Sequence, residues 1–154
     1  MTVKNGETKK VSILVEPKDF KFVIEHTSPD NWKKRAVCTY DAQYDQGCYA
    51  CEQRLYAWNQ NIRVYIPVLI GTRPHVIAQG IGANSIIHSL VQEKRERGII
   101  RDVIFEVSRK GEGKRSAYRA VPTDTPAPIY KAHVDVDSLI TNIEYDKQKT
   151  YYKE

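Results

Sequence analysis

The sequence predicts a mainly β fold with a smaller helical part. Asn61–Ile70 is rich in β-branched and apolar residues, which is typical of a strand. Asp102–Arg109 alternates apolar and polar residues, as a strand with one buried face does. Between these two segments, apolar residues recur at helical spacing over positions 86–91. These three observations indicate a sheet interrupted by one amphipathic helix.

The other elements follow from shorter patterns. Further strands are predicted at Val11–Val15, Phe20–Glu25, Arg35–Tyr40, His75–Gln79 and Ser116–Val121. Short helices are predicted at Glu52–Trp58 and within Val134–Tyr145, the second with Leu139, Ile140 and Ile143 on one side. Gly98 stands where a glycine commonly ends a helix, and Lys110–Lys114 is typical of a hairpin tip. A helix between the third and fourth strands is the order of an OB-type, five-stranded Greek-key barrel. Small sandwiches and other α+β domains give a similar order and stay open as alternatives.

Length and charge narrow the class of protein. The chain has 154 residues, a length that suits one domain or one domain with a small appendage. Of these residues 41% are hydrophobic and 28% charged, as in ordinary soluble globular chains. No apolar run approaches the roughly 20 residues that span a bilayer, and the first ten residues lack a secretory signal. Three cysteines are an odd number, which argues against a disulfide framework and for a reducing cytoplasm.

The net charge of +5 is unevenly distributed. Residues 124–154 carry a net charge of −2, which leaves +7 on residues 1–123. A basic body with a mildly acidic tail favours a polyanionic partner, although many soluble domains carry this charge without one.

The cysteines form a compact motif. Cys48 and Cys51 are a Cys-x-x-Cys pair, and Cys38 lies ten positions before the first of them. A two-residue spacer lets both thiolates reach one tetrahedral ion from a single turn. With His26 as the fourth ligand, a Cys₃His set is complete within 26 residues. The sequence therefore predicts one structural zinc ion.

Other interpretations of this motif stay open. A redox Cys-x-x-Cys pair usually stands at a helix N-terminus after a strand, which the flanking residues do not clearly show. Three unrelated buried thiols are the other alternative. His75, His88 and His133 compete with His26 as the fourth ligand.

The spacing Cys38, nine residues, Cys48, two residues, Cys51, with His26 upstream, resembles the zinc site of the single-stranded DNA-binding proteins of T-even-type bacteriophages. The resemblance covers about residues 20–122. It implies an OB fold with a zinc subdomain, for which we expect a mobile arm at 1–10, an OB-like domain at 11–122 with the zinc subdomain at about 26–58, and a linker and C-terminal tail at 123–154. A strongly acidic tail and the family's basic N-terminal cooperativity motif have no match here, so cooperative binding is not implied.

Binding of single strands without sequence preference requires cations along the phosphates and flat side chains on which bases stack. Both kinds of residue interleave along this chain. The predicted contact residues are Lys33, Lys34, Arg35, Arg63, Tyr65, Arg73, Arg109, Lys110, Lys114, Arg115, Tyr118 and Arg119. Core packing is the equal alternative for Tyr65 and Tyr118, since groove and core aromatics look alike in a sequence.

We therefore expect a single-stranded DNA-binding protein of the cytoplasm, acting in phage DNA replication, recombination or repair, and not an enzyme. Single-stranded RNA is the alternative ligand. The tail is expected to contact replication or recombination proteins, a homo-oligomer is compatible with the sequence, and no membrane partner is expected. The competing classes are a zinc-stabilised protein-interaction or transcription-regulating module and, third, a Cys-x-x-Cys oxidoreductase or zinc hydrolase.

Overall fold

The computed structural model describes residues 1–41, 43–44, 46–126 and 134–153, with the backbone alone at Lys114 and Pro126. Within these ranges the fold is mainly β, with seven strands and three α-helices. The strands are β1 Thr8–Ile13, β2 Lys21–Thr27, β3 Arg35–Val37, β4 Asn59–Ile70, β5 Arg73–Gly80, β6 Val103–Lys110 and β7 Ala117–Pro126. The helices are α1 Tyr49–Glu52, α2 Ile86–Arg97 and α3 Tyr145–Lys153.

The strands are hydrogen-bonded in the order β3-β2-β4-β1-β6-β7, and β5 also pairs with β4. Strand β1 is antiparallel to β6, with Val11 opposite Phe105, and β6 is antiparallel to β7, with Val107 opposite Ala120. The mainly β prediction is confirmed. The sheet has seven strands rather than five, and the OB-type barrel stays a prediction.

The chain divides into two compact units. We call Met1–Lys21 with Val64–Val136 the larger unit, and Phe22–Arg63 with Asp137–Glu154 the cysteine unit. The cysteine unit contains the predicted zinc subdomain and, in addition, the C-terminal residues that the sequence assigned to a separate tail.

An apolar core fills the larger unit. The side chains of Ile13, Ile66, Leu90 and Phe105 are fully buried there, because the apolar faces of the strands and of α2 meet. Val3, within the predicted N-terminal arm, is only 2% exposed and belongs to the same core. Strand β1 then begins at Thr8, so the structure places part of residues 1–10 in the core and the sheet.

Helix α2 has defined ends. The Oγ atom of Ser85, the N-cap residue, accepts a hydrogen bond from the N–H of Ile87. Gly98 ends the helix in the left-handed region, at φ +81°, which confirms its predicted role because a residue without Cβ adopts this conformation at little cost.

Glu16 fixes the loop after α2. Its Oε1 accepts the N–H groups of Ile100 and Arg101 at 3.2 and 3.0 Å, and its Oε2 lies 3.0 Å from the Lys94 ammonium. Burial by itself raises the pKa of Glu16, but the Arg101 N–H and the Lys94 ammonium outweigh it, and the pKa lies below its ordinary value. The carboxylate is therefore favoured in the folded state.

We expect Glu16→Gln to lower the free energy of unfolding by about 1 kcal/mol at neutral pH, because the neutral amide loses the attraction to Lys94. Since the folded pKa is depressed, this stabilisation is complete above the unfolded pKa and is lost as pH falls through the folded pKa. Urea unfolding should show a smaller difference from wild type at about pH 3 than at pH 7. The exposed Asp19→Asn serves as control, and an equal difference at both pH values would contradict the assignment.

Two predicted helices differ from the structure. A helix was expected at Glu52–Trp58, but α1 ends at Glu52, and Arg54 adopts a left-handed backbone with φ +51° that prevents its continuation. A helix was also expected within Val134–Tyr145, whereas α3 begins at Tyr145. Leu139, taken as part of the apolar face of that helix, is 57% exposed, so it supplies no buried contact to stabilise one.

The predicted linker also differs in part. Strand β7 continues to Pro126, which pairs with Val103. The rest of the linker and His133 lie in 127–133, outside the described residues.

Candidate metal centre and basic side chains

Three short elements of the cysteine unit carry the predicted ligands. His26 lies on β2, opposite Ala36 of β3. Cys38 follows β3 directly, and its N–H donates to the carbonyl of Ile24, which continues the ladder. Cys48 is the N-cap residue of α1, and Cys51 lies one turn later in that helix. The hairpin and the helix therefore present all four side chains to one point.

The four ligand atoms lie within 4.8 Å of one another. The Sγ atoms of Cys38 and Cys51 are 3.6 Å apart, and His26 Nε2 lies 3.4 Å from Cys48 Sγ and 3.5 Å from Cys51 Sγ. All three cysteines are free thiols, and Cys51 alone among the four ligands is not fully buried. These side chains can hold one metal ion.

Neighbouring polar groups orient the ligands. His26 Nδ1 lies 3.4 Å from the Trp58 carbonyl, and since a carbonyl only accepts, Nδ1 carries the proton and leaves Nε2 free for a metal. The side-chain amide of Gln60 donates to Cys38 Sγ at 3.6 Å. Such outer contacts fix the imidazole ring and stabilise a thiolate.

The thiols differ in acidity. Burial opposes ionisation of Cys48, but its contact with His26 and the N–H of Cys51 lower its pKa to about 6. Burial raises the pKa of Cys38 and of Cys51, and a charged Cys48 raises both further. Three adjacent thiolates repel one another, so a bound cation is what allows all three to ionise together.

The predicted nucleic-acid contacts of the cysteine unit differ in exposure. Lys33 is exposed, whereas Lys34 is half-buried, with its ammonium 5.7 Å from the Trp58 ring centroid and 4.8 Å from that of Tyr151. Arg35 and Arg63 each approach the buried carboxylate of Glu25 at 4.0 Å. Of these four predicted cations, Lys33 is exposed, whereas Lys34, Arg35 and Arg63 are half-buried.

The contacts predicted in the larger unit also separate into two groups. Tyr65 is only 4% exposed, which agrees with the core-packing alternative that the sequence left open for it. Tyr118 packs against the core, and the Arg109 guanidinium lies 5.8 Å from its ring centroid and donates to Ser116 and Val3. The predicted cations that remain exposed are Arg73, Lys110, Arg115 and Arg119. The side chain of Lys114 lies outside the described residues.

Sequence reasoning missed several residues of the site. Trp32 is not among the contact residues predicted from the sequence, yet this residue is 69% exposed. Gln148 and Tyr152 of α3 are buried in the cysteine unit, at 1% and 5% exposure. Their spacing of four residues was the available signal, because it puts both on one face of a helix.

No protein-family model matches this chain, and no curated protein or solved structure matches it either. In the part of the chain that the structure describes, no helix is both long enough and apolar enough to cross a bilayer.

Proposed function

We propose that this chain is a single-stranded DNA-binding protein whose cysteine unit is stabilised by one zinc ion. In a tetrahedral zinc site with Zn–S near 2.3 Å and Zn–N near 2.0 Å, sulfur atoms lie about 3.8 Å apart and sulfur and nitrogen about 3.5 Å apart. The observed separations of 3.6 Å for Cys38–Cys51 and of 3.4 and 3.5 Å for His26 with Cys48 and Cys51 agree with that geometry.

The donor set supports zinc in a structural role. Thiolate and imidazole are the ligands of structural zinc sites, and four protein ligands close the coordination sphere to water. The cysteine unit also has a small core of buried residues, namely Ala36, Cys38, Cys48, Ala50, Trp58 and Tyr152, two of which are ligands themselves. Binding of the ion then contributes directly to folding of this unit.

The observation that carries the single-strand proposal is the exposed indole of Trp32, which lies between β2 and β3. Lys33 Nζ lies 5.4 Å and Arg35 Cζ 5.9 Å from its ring centroid. Ser28 Oγ accepts the N–H groups of Asp30 and Asn31, so the loop that presents the ring is internally hydrogen-bonded. An exposed ring beside cations offers base stacking and phosphate attraction together.

The larger unit supports the proposal through its charge. Its exposed cations Arg73, Lys110, Arg115 and Arg119 can attract phosphates without reading bases. In this proposal the sheet is an OB-type barrel, and the protein belongs with the zinc-containing single-stranded DNA-binding proteins of T-even-type phages, whose cysteine spacing it shares. Its role is to cover single strands during replication, recombination or repair.

A competition experiment tests this function. The zinc-loaded protein is bound to fluorescent oligo-dT and challenged with unlabelled oligo-dT, duplex DNA of equal length, or oligo-rU. We expect oligo-dT to compete at least about tenfold better than the duplex, since paired bases offer no face for stacking. If oligo-rU competes as well as oligo-dT does, the protein also binds single-stranded RNA. A preference for duplex, or no binding to any strand, would contradict the proposal and favour a protein-interaction module.

A further inference from the structure

The C-terminal helix α3 supplies two buried side chains to the cysteine unit. Gln148 and Tyr152 lie one helical turn apart, while Lys149 between them is exposed. A buried glutamine is uncommon unless its amide is hydrogen-bonded on both sides. The partners of Gln148 therefore indicate what this helix holds in place.

The amide of Gln148 connects the two segments that carry the cysteines. Its Oε1 accepts the N–H of Tyr49 at 2.8 Å, and Tyr49 lies between Cys48 and Cys51. Its Nε2 donates to Thr39 Oγ1 at 2.9 Å and to the Ile143 carbonyl. Thr39 is the residue that directly follows Cys38. One side chain thus fixes the distance between the Cys-x-x-Cys turn and the third cysteine.

Thr39 extends this connection. Its hydroxyl donates to the Gly47 carbonyl at 2.6 Å, one residue before Cys48. Thr39 is fully buried, so these hydrogen bonds lie away from solvent. A buried donor or acceptor that loses its hydrogen-bond partner lowers the free energy of unfolding.

Tyr152 constrains the histidine ligand. Its ring meets the His26 imidazole edge-on at a centroid distance of 6.0 Å, and it meets the Trp58 indole in the same manner at 4.8 Å. The Trp58 carbonyl is the partner of His26 Nδ1. The hydroxyl of Tyr152 is buried and has no hydrogen-bond partner among the described residues, so it is the ring that does the positioning.

We propose that α3 is the outer shell of the metal centre, and that metal binding and docking of α3 are thermodynamically coupled. Gln148 and Tyr152 are positioning residues, and the inference rests on the proposed zinc site but not on nucleic-acid binding. Because coupling is reciprocal, a docked α3 raises zinc affinity, and bound zinc holds α3 in place. Loss of zinc then exposes residues 145–153.

The first test measures zinc affinity in competition with a chromophoric chelator. Gln148→Met keeps the volume of the side chain but removes its hydrogen bonds, and we expect zinc affinity to fall by about tenfold to hundredfold. Lys149→Met changes the exposed neighbour and is the matched control. Tyr152→Phe keeps the ring and its edge-on contacts, so its zinc affinity should lie within about threefold of wild type. Tyr152→Ala removes the ring, so its zinc affinity should fall by more than this.

The second test uses the wild-type chain and needs no variant to fold. Hydrogen exchange of the α3 amides is measured with zinc bound and after zinc removal, and we expect protection of α3 to fall when zinc is removed. Equal zinc affinity in Gln148→Met and wild type, or α3 protection that does not respond to zinc, would overturn the coupling. A wild-type chain that binds no zinc would instead refute the zinc site itself, which the same titration reports separately.

Discussion

Cys51→Ser is expected to abolish high-affinity zinc binding and to lower the melting temperature of the protein. The substitution removes one of the four proposed ligands, the others being His26, Cys38 and Cys48. Its effect on zinc affinity should exceed the roughly tenfold to hundredfold cost of losing an outer-shell partner, because a ligand itself is lost. Since zinc binding is linked to folding, the cysteine unit should also lose stability.

Elemental analysis and thermal melts with and without a chelator measure these effects. Wild type should contain about one zinc per chain, as a four-ligand structural site predicts, and should melt at a lower temperature with chelator present. Tyr56→Ala, which alters a side chain that is 80% exposed, is the control and should keep both properties. Wild-type zinc content and melting in Cys51→Ser would contradict the assignment of the ligands.

Trp32→Ala is expected to weaken binding to oligo-dT by about 1–3 kcal/mol, which is a factor of about 5 to 150 in Kd. The reason is the loss of the exposed ring, since the variant keeps Lys33 and Arg35 and therefore the local charge. Trp32→Phe retains a flat side chain and should recover most of the affinity. The free energy of unfolding should change little, because a residue that is 69% exposed contributes little buried surface.

Fluorescence anisotropy of labelled oligo-dT gives the affinities of these variants. Leu139→Ala, which shortens another exposed apolar side chain of the cysteine unit, is the matched control and should bind as wild type does. If Trp32→Ala also binds as wild type does, the indole is not a stacking platform, and the observation that carries the single-strand proposal is lost.

Local patterns predicted a large part of the fold. The run of β-branched residues predicted strand β4, and the helical spacing of apolar residues together with Gly98 predicted α2. The alternation of apolar and polar residues on either side of Lys110–Lys114 predicted the β6–β7 hairpin. The cluster of candidate metal ligands was also predictable, because the separation of Cys38, Cys48 and Cys51 along the chain restricts which side chains can meet.

The sequence pattern did not predict which side chains of a strand or helix are buried. Alternation placed Arg63 and Tyr65 on one face of β4, but a period of two does not tell whether that face meets solvent or another layer. Tyr65 is buried, and Arg63 approaches the buried carboxylate of Glu25. Hydrophobic patterns predict buried apolar residues but do not predict a buried amide such as that of Gln148. The position of this amide depends on hydrogen-bond partners 99 and 109 residues away along the chain.

The most direct test of single-strand binding is the salt dependence of the affinity of the zinc-loaded protein for oligo-dT. If three to five phosphates are neutralised by the exposed cations, log Kobs should fall linearly against log salt concentration with a slope of about −2 to −3.5. We expect this slope together with loss of affinity in Trp32→Ala. An affinity that does not change with salt would contradict single-strand binding through phosphate neutralisation.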